Sequence, residues 1–225
     1  MDEKIMENEF EKYIKEAMDK IAKIDSIKLS DLPNIDLYMD QLTTFMDEHL
    51  ENTTRHPGDD KILTKTMINN YAKNDLLPPP LRKKYSKEHV ILLIFIYYFK
   101  SVLSINDIQT LIEPLKERFH VSDIDEISLT DIYKTIFEKS DETIELFSDD
   151  MKKKIEISKE MFKDGSDKES TDLQLFSFLS ILSFDVYIKK MIIENILDNI
   201  RLAKENDIKQ KKEADKKAKK EKDKK

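Results

Sequence analysis

Two adjacent asparagines, Asn69 and Asn70, lie among Lys65, Thr66 and Lys73 in the stretch KTMINNYAK. Side-chain amides can read adenine bidentately, and lysines reach guanine or phosphate. This set could therefore meet base edges and backbone oxygens of double-stranded DNA. Asparagine is a poor helix former, so helix propensity does not explain a pair of them in mid-helix. A second basic set, Arg82, Lys83, Lys84 and Lys87, follows three consecutive prolines. Between 61 and 87, seven cations face one anion, Asp75, a net of +6 in a chain of net charge −7. A basic patch on an acidic protein is the electrostatic footprint of a phosphate-binding face. A solvated lysine-rich surface with neutral asparagines would carry the same residues.

Positioning these groups takes a helix, a turn and an extended segment. Thr64 can cap the helix by accepting from first-turn N–H groups. Ile68, Tyr71 and Ala72 share one face at spacings of three and four, with Met67 at its edge. Lys65, Thr66, Asn69, Asn70 and Lys73 fall on the other. The proline run at 78–80 ends the helix, and a basic, strand-like segment follows.

In its order of motifs, TKTMINNYAKNDLLPPPLRKKYSKEHV, then an apolar run, then SINDI, this region resembles the MerR-type winged helix-turn-helix. The matching positions are Thr64, Ile68, Tyr71, Leu76, Leu77, Pro78, Tyr85, Ser86, Ser104 and Ile108. INNY, LLPPP and VLSI resemble more closely a MerR-like family of low-GC Gram-positive bacteria, the domain of unknown function DUF1836. The close resemblance covers about 32–116. It implies a recognition helix at 64–73, a basic wing at 80–84, and dimerisation through helices that follow the DNA module. Two departures stand out. The wing has no glycine, and the Arg-Tyr pair usual in the recognition helix is Asn69-Asn70, which shifts the phosphate-clamping role to Lys73.

The remainder is expected to be helical. With 225 residues the chain can bury a core, and only 2 glycines and 6 prolines argue for an all-α fold. Residues 1–24 carry Met6, Phe10, Ile14, Ala17, Ile21 and Ile24 at helical spacing, for packing on the body or as a dimer arm. Helices are further expected at 36–50, from Ser86 through the apolar run 90–99, from Ser104 to about 118, at 129–147 and 149–162, and from a cap at Thr171 to about 203. The last is too apolar for one seam, so it is either a core helix or shared with a second subunit. Residues 201–225 hold 12 basic and 6 acidic residues, read as a disordered tail or a fraying helical extension. That tail would add non-specific attraction to nucleic acid, or only solubility. The divisions read from sequence are 1–31, 32–120, 121–203 and 204–225.

Several chemistries are excluded or unsupported. With no cysteine there is no disulfide, thiolate metal site or cysteine nucleophile. His49, His56, His89 and His120 lack ligand spacing, no phosphate-binding glycine loop exists, and residues 123–126 lack the pattern of a calcium loop. No catalytic residue, metal or cofactor is expected. The longest apolar run, ten residues at 90–99, is half of a membrane span, and the first 25 residues are charged throughout, so a cytoplasmic protein is expected. The leading expectation is a dimeric, sequence-specific DNA-binding transcriptional regulator with Lys65, Thr66, Asn69, Asn70, Lys73, Arg82, Lys83, Lys84 and Lys87 on the DNA. An alternative is a protein-interaction module that keeps the fold without DNA. A third is a small-molecule effector sensor, which needs a pocket within 129–203.

Overall fold

A computed structural model describes residues 9–22, 26–119, 126–164 and 166–222. It is mostly helical, with a small two-stranded sheet. In chain order come α1 (Glu9–Ile21), β1 (Leu37–Tyr38), α2 (Met39–Leu50), α3 (Lys65–Lys73), β2 (Lys84–Tyr85), α4 (Lys87–Phe99), α5 (Ile105–Glu117), α6 (Leu129–Phe137), α7 (Ser140–Glu160) and α8 (Asp167–Lys222).

The core is built around α4. All positions from His89 to Ile96 are buried, which fits a helix apolar on every side. α2, α3, α5 and α6 surround it, contributing Leu42, Met46, Ile68, Ile108, Ile112 and Tyr133 to one continuous cluster that starts at Ile27. Tyr133 spends its hydroxyl on the Ile27 carbonyl at 2.6 Å, which satisfies the polar end of a fully buried ring. Burial and nearby charge push that phenol well above its ordinary pKa. α6 therefore belongs to the same core as α4, although it lies beyond residue 120.

Three boundaries differ from the sequence expectation. Residues 37–38 are a strand rather than helix. Leu37 pairs with Tyr85 and Tyr38 with Lys84 in an antiparallel ladder, and α2 begins only at Met39. There the Gln41 side chain accepts from the Tyr38 N–H at 2.9 Å, an N-terminal cap that stops the helix from extending backwards. The break expected near 148 falls at 138–139, because α6 must keep Tyr133 and Phe137 on Phe95 while α7 leaves to pack on α8. α8 starts at Asp167 rather than at a Thr171 cap, and the basic tail continues it as helix to Lys222.

α5 holds Pro114 in its interior. Proline removes one i→i−4 hydrogen bond, here to Thr110. The neighbouring Thr110 hydroxyl accepts from Arg201 Nε of α8 at 2.9 Å. Arg201 also donates to the buried Asp107 at 2.5 Å, and Lys204 pairs with Glu113. The Ser104 hydroxyl first, then Arg201, hold the Asp107 carboxyl below its ordinary pKa. Leu197 completes the joint by entering the α4 core.

The N-terminal helix packs on the body. Phe10 is buried with Met151 of α7 and Phe178 of α8 in a second, smaller cluster. Met6 and Ile24 of the expected stripe lie outside the described residues, as does most of the linker expected at 121–128.

Candidate nucleic-acid interface

Thr64 caps α3 as its type and position suggest, its hydroxyl accepting from the Met67 N–H at 3.2 Å. Ile68 and Tyr71 are buried, so the helix is fixed in rotation, and Lys65, Thr66, Asn69, Asn70 and Lys73 are all exposed. Asn70 uses its carbonyl, not its amide, to accept from Asn74 Nδ2 at 2.8 Å.

The helix ends in a left-handed residue, Asp75, at φ 54°. The Leu76 N–H returns to the Tyr71 carbonyl at 2.8 Å and the Asp75 N–H to Ala72 at 3.3 Å, the bond pattern of a Schellman motif. Glycine is usual at that position. Aspartate is held there from outside: Lys116 of α5 donates to both its carbonyl and its carboxylate at 2.6 Å. The single anion of the basic stretch is thus already neutralised. Leu76 and Leu77 then enter the core.

Beyond the prolines the chain reverses within four residues. The Lys84 N–H donates to the Leu81 carbonyl at 2.9 Å, and Arg82 and Lys83 sit at φ 51° and 64°. Two successive positive φ values are the signature of the tight primed turns of hairpins, where glycine and asparagine predominate. Each non-glycine residue held there costs about 1–2 kcal/mol. Arg82 and Lys83 are exposed, Lys84 lies 5.2 Å over the Tyr38 ring, and Lys87 is half-buried in the first turn of α4. The return strand pairs with β1, so this turn is anchored to the chain just ahead of α2.

The base of the turn rests on His89. Its Nδ1 accepts from the Ser86 N–H at 2.9 Å, which places the proton of the neutral ring on Nε2. That nitrogen is buried and faces the Pro78 and Pro79 carbonyls without reaching hydrogen-bond geometry. Tyr85 and Phe119 stand edge-on to the ring at 5.4 and 4.6 Å. Burial lowers the His89 pKa, against smaller opposing effects of the proline carbonyls, Glu88 and Asp36.

Lys65 pairs with Asp40 on α2, both side chains being exposed. Such a pair is worth at most about 1 kcal/mol, so a phosphate can replace the carboxylate. Among the described residues Lys73, Arg82, Lys83 and Lys87 make no ion pair. The nine named residues therefore occupy two adjoining segments, α3 and the 81–87 turn, joined by the proline run. Asp40, Lys116, Tyr38 and His89 were not singled out from sequence. Lys116 meets Asp75 across 41 residues, which leaves no local signal. His89, at the third position after the Ser86 cap, does carry one.

Among the described residues no group of three or more His, Asp or Glu side chains is placed to hold a metal. No described helix is long and apolar enough to cross a membrane. Residues 27–136 match the family model of a domain of unknown function (DUF1836). That range begins at Ile27, the first residue of the cluster around α4, and ends in α6. No curated protein and no solved structure matches the chain.

Proposed function

We propose that this chain, carrying its DUF1836 match, is a MerR-like winged-helix protein that binds double-stranded DNA as a dimer and regulates transcription in the cytoplasm. On this reading α3 enters the major groove, with Asn69, Asn70 and Thr66 at base edges and Lys65 near them. Lys73, Lys84 and Lys87 take flanking phosphates, and the turn at Arg82-Lys83 is a wing reaching the backbone.

One observation carries the proposal. Two long cations occupy consecutive left-handed positions that glycine or asparagine would fill at lower cost. Strain kept at an exposed turn points to what those side chains do outside the fold. Linked to the amide-bearing α3 by the short proline run, they suit phosphates flanking a groove. The pairing of Asp75 with Lys116 supports the same reading, since it offsets the one anion between 61 and 87.

A dimer is supported by α8. Phe184, Tyr187, Ile188 and Met191 share one face at spacings of three and four, each at least 40% exposed. Val186, Ile192, Ile193 and Ile196 are also exposed.

The test is salt-titrated binding of the full chain to its own upstream DNA and to scrambled DNA. Selective binding is expected, weakened across all sequences by Lys73→Ala and relaxed in selectivity by Asn69→Ala. Unselective binding that vanishes when the chain ends at Ala203 would overturn the proposal. The exposed basic surface would then be better explained as a protein contact.

A further inference from the structure

Away from the basic face, an apolar cavity of about 290 Å³ lies where α1, α7 and α8 meet. Ile14 and Met18 of α1, Phe147 and Met151 of α7 and Leu182 of α8 form its walls. These are the residues of the second cluster, so the cavity is a gap within a packed apolar unit. Its mouth is different. Asp185 and Lys189 line it, and Asp185 accepts from Lys189 at 2.8 Å and from Lys154 at 3.0 Å. Lys154 is 13% exposed and also holds Asp150, whereas Lys189 is 63% exposed and holds Asp185 alone.

We infer that this cavity binds a medium-chain carboxylic acid, its alkyl chain between the three helices and its carboxylate on Lys189. Three features select that chemistry. The walls offer no hydrogen-bonding group deep in the cavity, so the body of the ligand is apolar. At roughly 30 Å³ per heavy atom the volume takes about ten atoms. At the mouth an acidic head needs only Lys189 to turn, because Asp185 keeps Lys154 and no buried charge is left unpaired. A cationic head would compete with two lysines for one carboxylate. The same α8 runs on to Leu197, Arg201 and Lys204 at the α4–α5 body, so an occupant borders the helix that joins both cores.

The test is calorimetric titration of the full-length protein with decanoate and with decanol, below their aggregation concentrations and without DNA. It is therefore independent of the DNA proposal. Decanoate should bind saturably at one site per chain. Leu182→Trp should weaken it at least tenfold by filling the cavity. It also adds the only tryptophan, whose fluorescence reports folding. Ala17→Phe, on the α1 wall, serves if the first variant fails to fold. Lys189→Gln should weaken decanoate about fivefold and leave decanol unchanged. Absence of saturable binding, or binding undiminished by both filled variants, would overturn the site. Equal loss for decanol in Lys189→Gln would overturn the assignment of the head group.

Discussion

α4 and the 173–200 part of α8 are both strongly apolar, and their surroundings could hardly differ more. α4 is 13 residues long and buries eight in succession among four neighbouring helices. α8 is 56 residues long, about 84 Å at 1.5 Å per residue, and leaves Phe184, Tyr187, Ile188 and Met191 in water. Hydrophobicity alone does not fix a helix at a centre. α4 has partners within one domain length of chain, whereas α8 outruns α1 and α7 and reaches the first core only at Leu197 and Arg201. An apolar face left over after intramolecular packing is the kind that a second subunit covers.

The comparison can be broken most forcefully inside α4. Leu92→Ala should cost about 3 kcal/mol, through lost transfer energy and an unfilled cavity, read as a lower urea midpoint. The pair Tyr187→Glu and Met191→Glu should cost the single chain almost nothing. In sedimentation it should instead halve the mass of the assembly. A loss of folding in the α8 variant would show that this face packs within its own chain.

The joint between the two regions comes next. Arg201→Ala leaves the buried Asp107 carboxylate with only Ser104, for a loss of about 1–2 kcal/mol after allowing for partial exposure of the arginine. Because the fold holds Asp107 below its ordinary value of 3.8, its contribution is whole above that pH and drains as pH falls further. The Arg201→Ala variant should therefore show a flatter stability profile in acid than the parent.

His89 gives an earlier, smaller pH effect confined to the first region. Its ordinary pKa is 6.5 and burial lowers it, so the unfolded chain takes the proton first as pH falls. The stabilising contribution is complete above about pH 6.5 and declines below it. The urea midpoint should fall between pH 7 and 5, and His89→Gln should reduce that slope. The smallest effect is expected at the surface. Lys83→Gly removes one left-handed penalty and should raise stability by about 1 kcal/mol. If the turn meets phosphate, the same change should lower the salt slope of DNA binding by about one.

Much of the first region could be read from local residues. Thr64, Ser86 and Ser104 each sit at a helix start, because a capping side chain acts within three residues of itself. The exposed set on α3 followed from periodicity alone. Lys65 is the informative exception: its exposure was legible, but its pairing with Asp40 was not, since α2 and α3 meet only in three dimensions. The strand at 37–38 escaped notice because two residues carry no periodicity and exist only by pairing with 84–85. Likewise the glycine-free turn could not be anticipated from Arg82-Lys83, which have no left-handed preference and are forced there by the paired strand.

The sequence by itself determined the helical class, the caps at Thr64, Ser86 and Ser104, the amphipathic faces and the basic patch, since each depends on residues within a few positions of one another. Tertiary structure decided where α6 belongs, why the chain breaks at 138–139, and that α8 runs unbroken past its own partners. It also brought Lys116 to Asp75 and Arg201 to Asp107. Those pairs span 41 and 94 residues, and only the packing of whole helices brings their partners together.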